Sequence, residues 1–205
     1  MPADPRRRWR RVALWLVVVT MAYNVVEAGI AVTSGILAGS IALVGFGLDS
    51  VIELAAAGAL LWRLTVEARG AGHEAVERSE RRVGRFIGVT FLALAAYVLV
   101  VALVALVTGD QPGESIIGIV LAAASLVVMP LVAWGKLHAA AVIGSASLRA
   151  EAKETLACAY LSLALLLGLV ANAVAGLWWA DPAAALLMVP WLVREGIEGL
   201  RGEEG

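Results

Sequence analysis

The sixteen lysine and arginine residues of the chain are confined to four segments, and long apolar stretches separate those segments. Arg6, Arg7, Arg8, Arg10 and Arg11 precede the first apolar stretch. Arg63, Arg69, Arg78, Arg81, Arg82 and Arg85 follow the second. Lys136, Arg149 and Lys153 follow the fourth, and Arg194 and Arg201 follow the sixth. The links after the first, third and fifth stretches carry no basic residue, only the acids Asp110, Glu114 and Asp181. Basic side chains stay on the cytoplasmic face of a membrane. This alternation therefore predicts six crossings with both termini in the cytoplasm.

A crossing helix needs about 20 mostly apolar residues. The expected spans are 12–33, 41–62, 84–108, 115–134, 148–175 and 177–193. The expected fold is all-α, a six-span transmembrane bundle, with short links closing helical hairpins. Composition agrees. The chain is 61% hydrophobic and 16% charged over 205 residues, against about 45–50% and about 25% for a soluble domain. A chain this short cannot hide that much apolar surface from water. Soluble enzymes, disordered chains and nucleic-acid binders are excluded, and the surrounding partner is a lipid bilayer, expected to be the plasma membrane. A single cysteine, Cys158, leaves no intrachain disulfide.

Residues 1–11 read as a basic cytoplasmic segment, because the apolar stretch behind them is too long for a signal peptide. Residues 194–205 read as a short cytoplasmic tail with no further domain. The polar stretch 72–85 is expected as a short cytoplasmic helix. His73 and His138 are expected in solvated cytoplasmic links, and Pro130 is expected to kink or end span four.

The acids inside the spans are the informative remainder, since a charge at a helix centre costs at least about 2.5–3.5 kcal/mol. Asp49 and Glu53 lie four residues apart in span two, so both carboxylates share one face with Cβ atoms about 5–6 Å apart. Neither has a basic neighbour in its span. Such a pair stays ionised only around a cation and otherwise takes up a proton, which is the basis of metal–proton exchange. Span five offers Glu154 and Cys158 at the same spacing, with Ser162 one turn beyond and Glu151 one turn before. Two ligands from each helix could close a tetrahedral site for a divalent transition metal. The bland readings are an interfacial Glu151, an ion pair made by Lys153, and a Cys158 that is merely a small buried hydrophobe. Glu27 and Asn24 in span one are candidates for a pathway or proton relay, as are Glu151 and Ser162, or else for hydrogen bonds between helices.

Residues 39–53, GSIALVGFGLDSVIE, resemble the second span of the cation diffusion facilitator family of metal/proton antiporters. Residues 147–158, SLRAEAKETLAC, resemble its fifth span, and Trp179-Ala180-Asp181-Pro182 the start of its sixth. The resemblance covers residues 12–193. It implies that Asp49 and Glu53 stand at the two span-two acids, Glu154 at the usual span-five histidine, and Cys158 at the following aspartate. The implied site is Asp-Glu-Glu-Cys, without the imidazole that the family is thought to use in proton coupling. The family's cytosolic domain, with its dimer surface, is expected to have no counterpart after span six, and a homodimer is expected to form through the membrane helices.

The function expected from this resemblance is export of a divalent metal by proton antiport. Zinc is the default cargo, with iron(II), manganese and cadmium open. No enzyme activity and no resident cofactor are expected. The alternatives are a degenerate metal-binding or sensing relative, an accessory subunit of a full-length transporter, and a proton-coupled carrier of organic cations.

The topology has a direct check. In a Cys158→Ala background on intact cells, a membrane-impermeant maleimide should label a cysteine introduced at Gln111 and leave one at Ser79 unlabelled. Labelling at Ser79 alone would invert the orientation.

Overall fold

The computed structural model describes residues 5–68 and 73–201. They form six helices: α1 Pro5–Ala38, α2 Ile41–Ala68, α3 His73–Thr108, α4 Ile116–Ile143, α5 Ala146–Ala175 and α6 Ala180–Arg201. No strand occurs among the described residues. In hydrocarbon a backbone N–H or C=O finds no water, so each span must satisfy its own backbone groups, and a helix does so. The ends are set by residues that suit them. Gly39 after α1 and Gly144 after α4 have φ of 66° and 73°, a left-handed conformation that glycine adopts without a Cβ clash. Ser145 then starts α5, its hydroxyl accepting from the Leu148 N–H at 3.3 Å.

Five helices are long and apolar enough to cross a membrane on their own, and the chain is an integral membrane protein. α6 falls short of that measure. Asp181 sits in its first turn, and Arg194, Glu195 and Glu198 lie near its end. The uncharged run between them, 182–193, is too short for an isolated crossing helix. Instead α6 packs against α3, α5 and α2, burying Ala184, Ala185, Met188 and Leu192. It also starts at Ala180 rather than 177, because Gly176 ends α5 in a left-handed turn.

Two links differ from expectation. Span four does not end at Trp134, nor does Pro130 stop it: α4 runs on to Ile143 and takes in Lys136 and His138. The 135–143 stretch is alanine-rich, which favours continued helix. His138 is accordingly not in a free link but lies between two indoles, 4.6 Å from Trp9 and 6.2 Å from Trp134 between ring centroids. The polar stretch before span three is helical from His73 onward and continuous with α3, so it is not a separate helix. Residues 69–72 of that link, like 1–4 and 202–205, lie outside the described residues.

The helices form a ring. The pairs α1–α2, α3–α6 and α4–α5 pack most extensively, and α1–α4, α2–α3 and α5–α6 contacts close the circuit. α2 also reaches across the ring to α5 and α6. Phe46 and Leu43 of α2, Leu161 and Leu165 of α5, and Met188 and Leu192 of α6 are sealed from the surface. Large apolar side chains such as Leu37, Val107 and Val174 point outward and stay exposed, as a lipid-facing surface requires. Small residues let the helices close up. A Cβ on Gly47 of α2 would lie 2.9 Å from the Val32 nitrogen of α1, and one on Gly88 of α3 would lie 2.7 Å from the Gly196 oxygen of α6.

Asp181 ties α6 to the start of α2. It is fully buried. Its carboxylate accepts from the Ser40 hydroxyl and from the backbone N–H groups of Ile41 (2.9 Å) and Ala42 (3.5 Å). Ser40 in turn caps α2 by accepting from the Leu43 N–H at 3.1 Å. The first N–H groups of a helix have no partner within it, and the carboxylate supplies one from another helix. Replacing a cap by alanine costs about 0.5–2 kcal/mol. Asp181→Ala should therefore lower stability by about 1–2 kcal/mol in detergent unfolding, and Asp181→Asn by less. Equal stability of Asp181→Ala and the parent would refute the cap.

Candidate functional site

α2 and α5 face each other inside the ring, and the inward side chains of both meet there. Asp49 lies eight residues beyond Ile41, about 12 Å along the axis, and Glu53 lies one turn further on the same face. Cys158 of α5 comes to meet them. The thiol sulfur and one oxygen of each carboxylate all lie within 4.8 Å of one another. Asp49 and Cys158 are buried, and Glu53 is partly covered. A tetrahedral divalent ion bound at about 2.0–2.3 Å would hold its ligand atoms about 3.3–3.8 Å apart. The three groups are thus close to that spacing already. Among the described residues, neither carboxylate forms an ion pair with Lys or Arg.

Glu154, one turn before Cys158, stands outside this group of three. It is half-buried and has an interaction of its own. Ser162 is sealed in, and its hydroxyl donates to the Cys158 carbonyl at 2.7 Å. It thus satisfies itself on its own helix.

α1 adds a second layer. Asn24 is buried, and its Nδ2 donates to Glu53 Oε2 at 3.0 Å. Glu27, one turn on and also buried, is held by hydroxyls from two other helices. Ser50 of α2 donates to its Oε2 at 2.9 Å, and Ser125 of α4 donates to its Oε1. Tyr23 Oη lies 2.7 Å from the Ser125 hydroxyl. With the Ser125 proton given to Glu27, the phenol donates to Ser125. The residue types explain the arrangement: hydroxyls are short, neutral donors that satisfy a carboxylate without introducing another charge.

Glu151 is placed differently. Its Oε1 lies 2.7 Å from Lys136 Nζ, and both side chains are buried between α4 and α5. Lys136 also donates to Thr155 Oγ1 at 3.0 Å. Lys136, which the sequence places in the link after span four, lies instead inside α4 and out of water. An ammonium can stay out of water when a carboxylate and a hydroxyl take its protons. Lys153, the cation considered from sequence for such a pair, is exposed instead.

Ser50, Ser125 and Tyr23 are polar groups that sequence reading passed over, and Lys136 is one that it placed in a link. Ser125 carried a visible signal, a lone hydroxyl inside a long apolar run. Ser50 had one too, next to Asp49. For Lys136 the signal was its separation from Glu151, which becomes a contact only once the two-residue α4–α5 link is known.

Residues 17–201 match the family model of the cation efflux transmembrane domain. The match takes in the facing α2 and α5 acids and reaches from the early turns of α1 to the last residue of α6. No curated protein matches the chain.

Breaking a buried pair on one side leaves an uncompensated charge and costs about 3–5 kcal/mol. Lys136→Met should destabilise by about that amount, and the double variant Lys136→Met/Glu151→Leu should recover most of the loss. A double variant no more stable than the single would show that the two side chains do not act as a pair.

Proposed function

The chain belongs to the cation efflux family, and on that premise we propose that it exports a divalent transition-metal ion in exchange for protons. Asp49, Glu53 and Cys158 hold the ion between α2 and α5, near mid-depth in the membrane. The observation that carries this reading is the convergence of three metal-binding groups from two facing helices, their ligand atoms within 4.8 Å of one another. The coarser statement, a cation transporter in a lipid bilayer, follows from the family itself.

The donor set narrows the cargo. Two carboxylates and a thiolate suit zinc, which accepts oxygen and sulfur ligands in tetrahedral geometry. Cadmium and iron(II) are the next candidates. Manganese, which favours oxygen donors, ranks behind them. The ion is substrate, and no resident cofactor is required.

The exchange follows from electrostatics in a medium of low dielectric constant. Empty, the crowded carboxylates and thiol cannot all carry charge and retain protons. A divalent ion entering the site neutralises that charge and displaces protons. When the bundle reopens on the opposite side, protons return and the ion leaves. Glu154, half-buried beside Cys158, provides an acidic approach to the site. Glu27, held by Ser50 and Ser125, provides a carboxyl that can carry a proton without ligating the ion. By the basic-residue asymmetry, loading occurs from the cytoplasm. A second copy, if one assembles, would pack through the membrane helices.

Reconstituted proteoliposomes with a pH gradient test this. Zn2+ flux should collapse the gradient, and Asp49→Ala should lower flux at least tenfold, as loss of a group at a metal site commonly does (about 10–100-fold for outer-shell partners alone). Flux unchanged by Asp49→Ala would contradict the site. Zn2+ binding without flux in the parent chain would favour a metal-binding or sensing relative instead.

A further inference from the structure

Three ligands leave a tetrahedral ion one short, and Glu154, which the spacing on α5 suggests as the fourth, stands outside the group of three. We propose that Asn24 of α1 is the fourth ligand, binding the ion through its amide oxygen. The proposal rests on the reading of Asp49, Glu53 and Cys158 as the ion site and adds a third helix to it.

Two observations carry it. The Asn24 amide already touches the site, since its Nδ2 donates to Glu53 Oε2 at 3.0 Å. Its Oδ1 is a buried acceptor with no hydrogen-bond partner among the described residues, on a side chain that is 1% exposed. An amide oxygen has two lone pairs and seeks a donor or a cation. Native interiors rarely leave one unused without reason.

The terminal torsion of asparagine is soft and nearly two-fold. A half-turn of the amide therefore exchanges its nitrogen and oxygen. With the site empty, the N–H end faces the Glu53 carboxylate and satisfies it. With a divalent ion between the carboxylates, the carbonyl end is the attractive one, and Oδ1 turns toward the ion. Asn24 thus supports the site in both states with one side chain.

Charge favours a neutral fourth ligand. Two carboxylates and a thiolate around a divalent ion leave one excess negative charge. A further carboxylate, such as Glu154, would raise that to two in a medium that solvates charge poorly. The amide completes the shell without adding any. Its hard oxygen also offsets the soft thiolate, so the set admits zinc without selecting strongly for cadmium.

The test is Zn2+ titration of the purified full chain, with X-ray absorption at the zinc edge. Asn24→Ala should weaken Zn2+ binding about tenfold or more and remove one oxygen or nitrogen neighbour from the spectrum. Glu154→Gln, which changes the approach and not the ligand set, should weaken binding less than Asn24→Ala and leave the neighbour count unchanged. Asn24→Asp separates ligation from mere positioning. As a ligand, aspartate should bind Zn2+ as tightly as the parent or tighter. As a positioning donor to Glu53 it would fail, because it has lost its N–H groups and repels that carboxylate. Asn24→Asp binding as weakly as Asn24→Ala would overturn the proposal, as would an unchanged neighbour count in Asn24→Ala. If Asp49→Ala and Glu53→Gln retain parental Zn2+ binding, the underlying site reading fails instead. If they lose it while Asn24→Ala does not, the site stands and Asn24 is not part of it.

Discussion

A carboxylate taken out of water must be answered by something, and the interior of this bundle is organised by how each buried acid is answered. Asp181 is met by a serine hydroxyl and two backbone N–H groups at the start of α2. Glu151 is met by the ammonium of Lys136. Glu27 is met by two serine hydroxyls from different helices. Each of these interactions joins one helix to another, so the acids also act as rivets. Asp49 and Glu53 differ in kind. One oxygen of each lies within 4.8 Å of the other and of the Cys158 thiol sulfur, and among the described residues neither is paired with a cation. Such an arrangement is unstable in hydrocarbon unless protons or a cation enter it, and that need is what the proposed function exploits.

The rivets also set which parts can move together. α6 and α2 are tied at one end by Asp181, while α4 and α5 are tied by Lys136 and Glu151. The α3–α6 contact is close enough to exclude a Cβ at Gly88. The proposed ion site lies between these blocks, with α2 on one side and α5 on the other. Alternating access in carriers generally proceeds by rigid blocks moving about a fixed site; the Glu27 hydrogen bonds to Ser50 of α2 and Ser125 of α4 cross the boundary between these blocks and would have to exchange as they move.

Much of this was legible in the sequence. Apolar runs of membrane-spanning length determine the helices because hydrocarbon permits little else, and the helical period alone places Asp49 beside Glu53. The approach of Cys158 to them followed from the same period on α5 together with the family resemblance. What was illegible depended on contacts across helices. Lys136 looked like a loop cation because its partner lies fifteen residues on and a helix turn-around away. Asp181 looked like one more acid in a basic-free link, although its carboxylate caps another helix. The spacing on α5 suggested Glu154 as an equal of Cys158, whereas the three groups that meet are Asp49, Glu53 and Cys158. Asn24 was visible as a polar residue inside a span, but only its contact with Glu53 gives it a place at the site.

The most direct test of the account is calorimetric titration of the purified chain with Zn2+, with proton release followed in parallel between about pH 6 and pH 8, where a site crowded with carboxylates exchanges protons for metal. The account predicts that binding expels protons and that both signals vanish together in Asp49→Asn/Glu53→Gln. Zn2+ binding that persists in that double variant, or that releases no proton at any pH in the range, would contradict it.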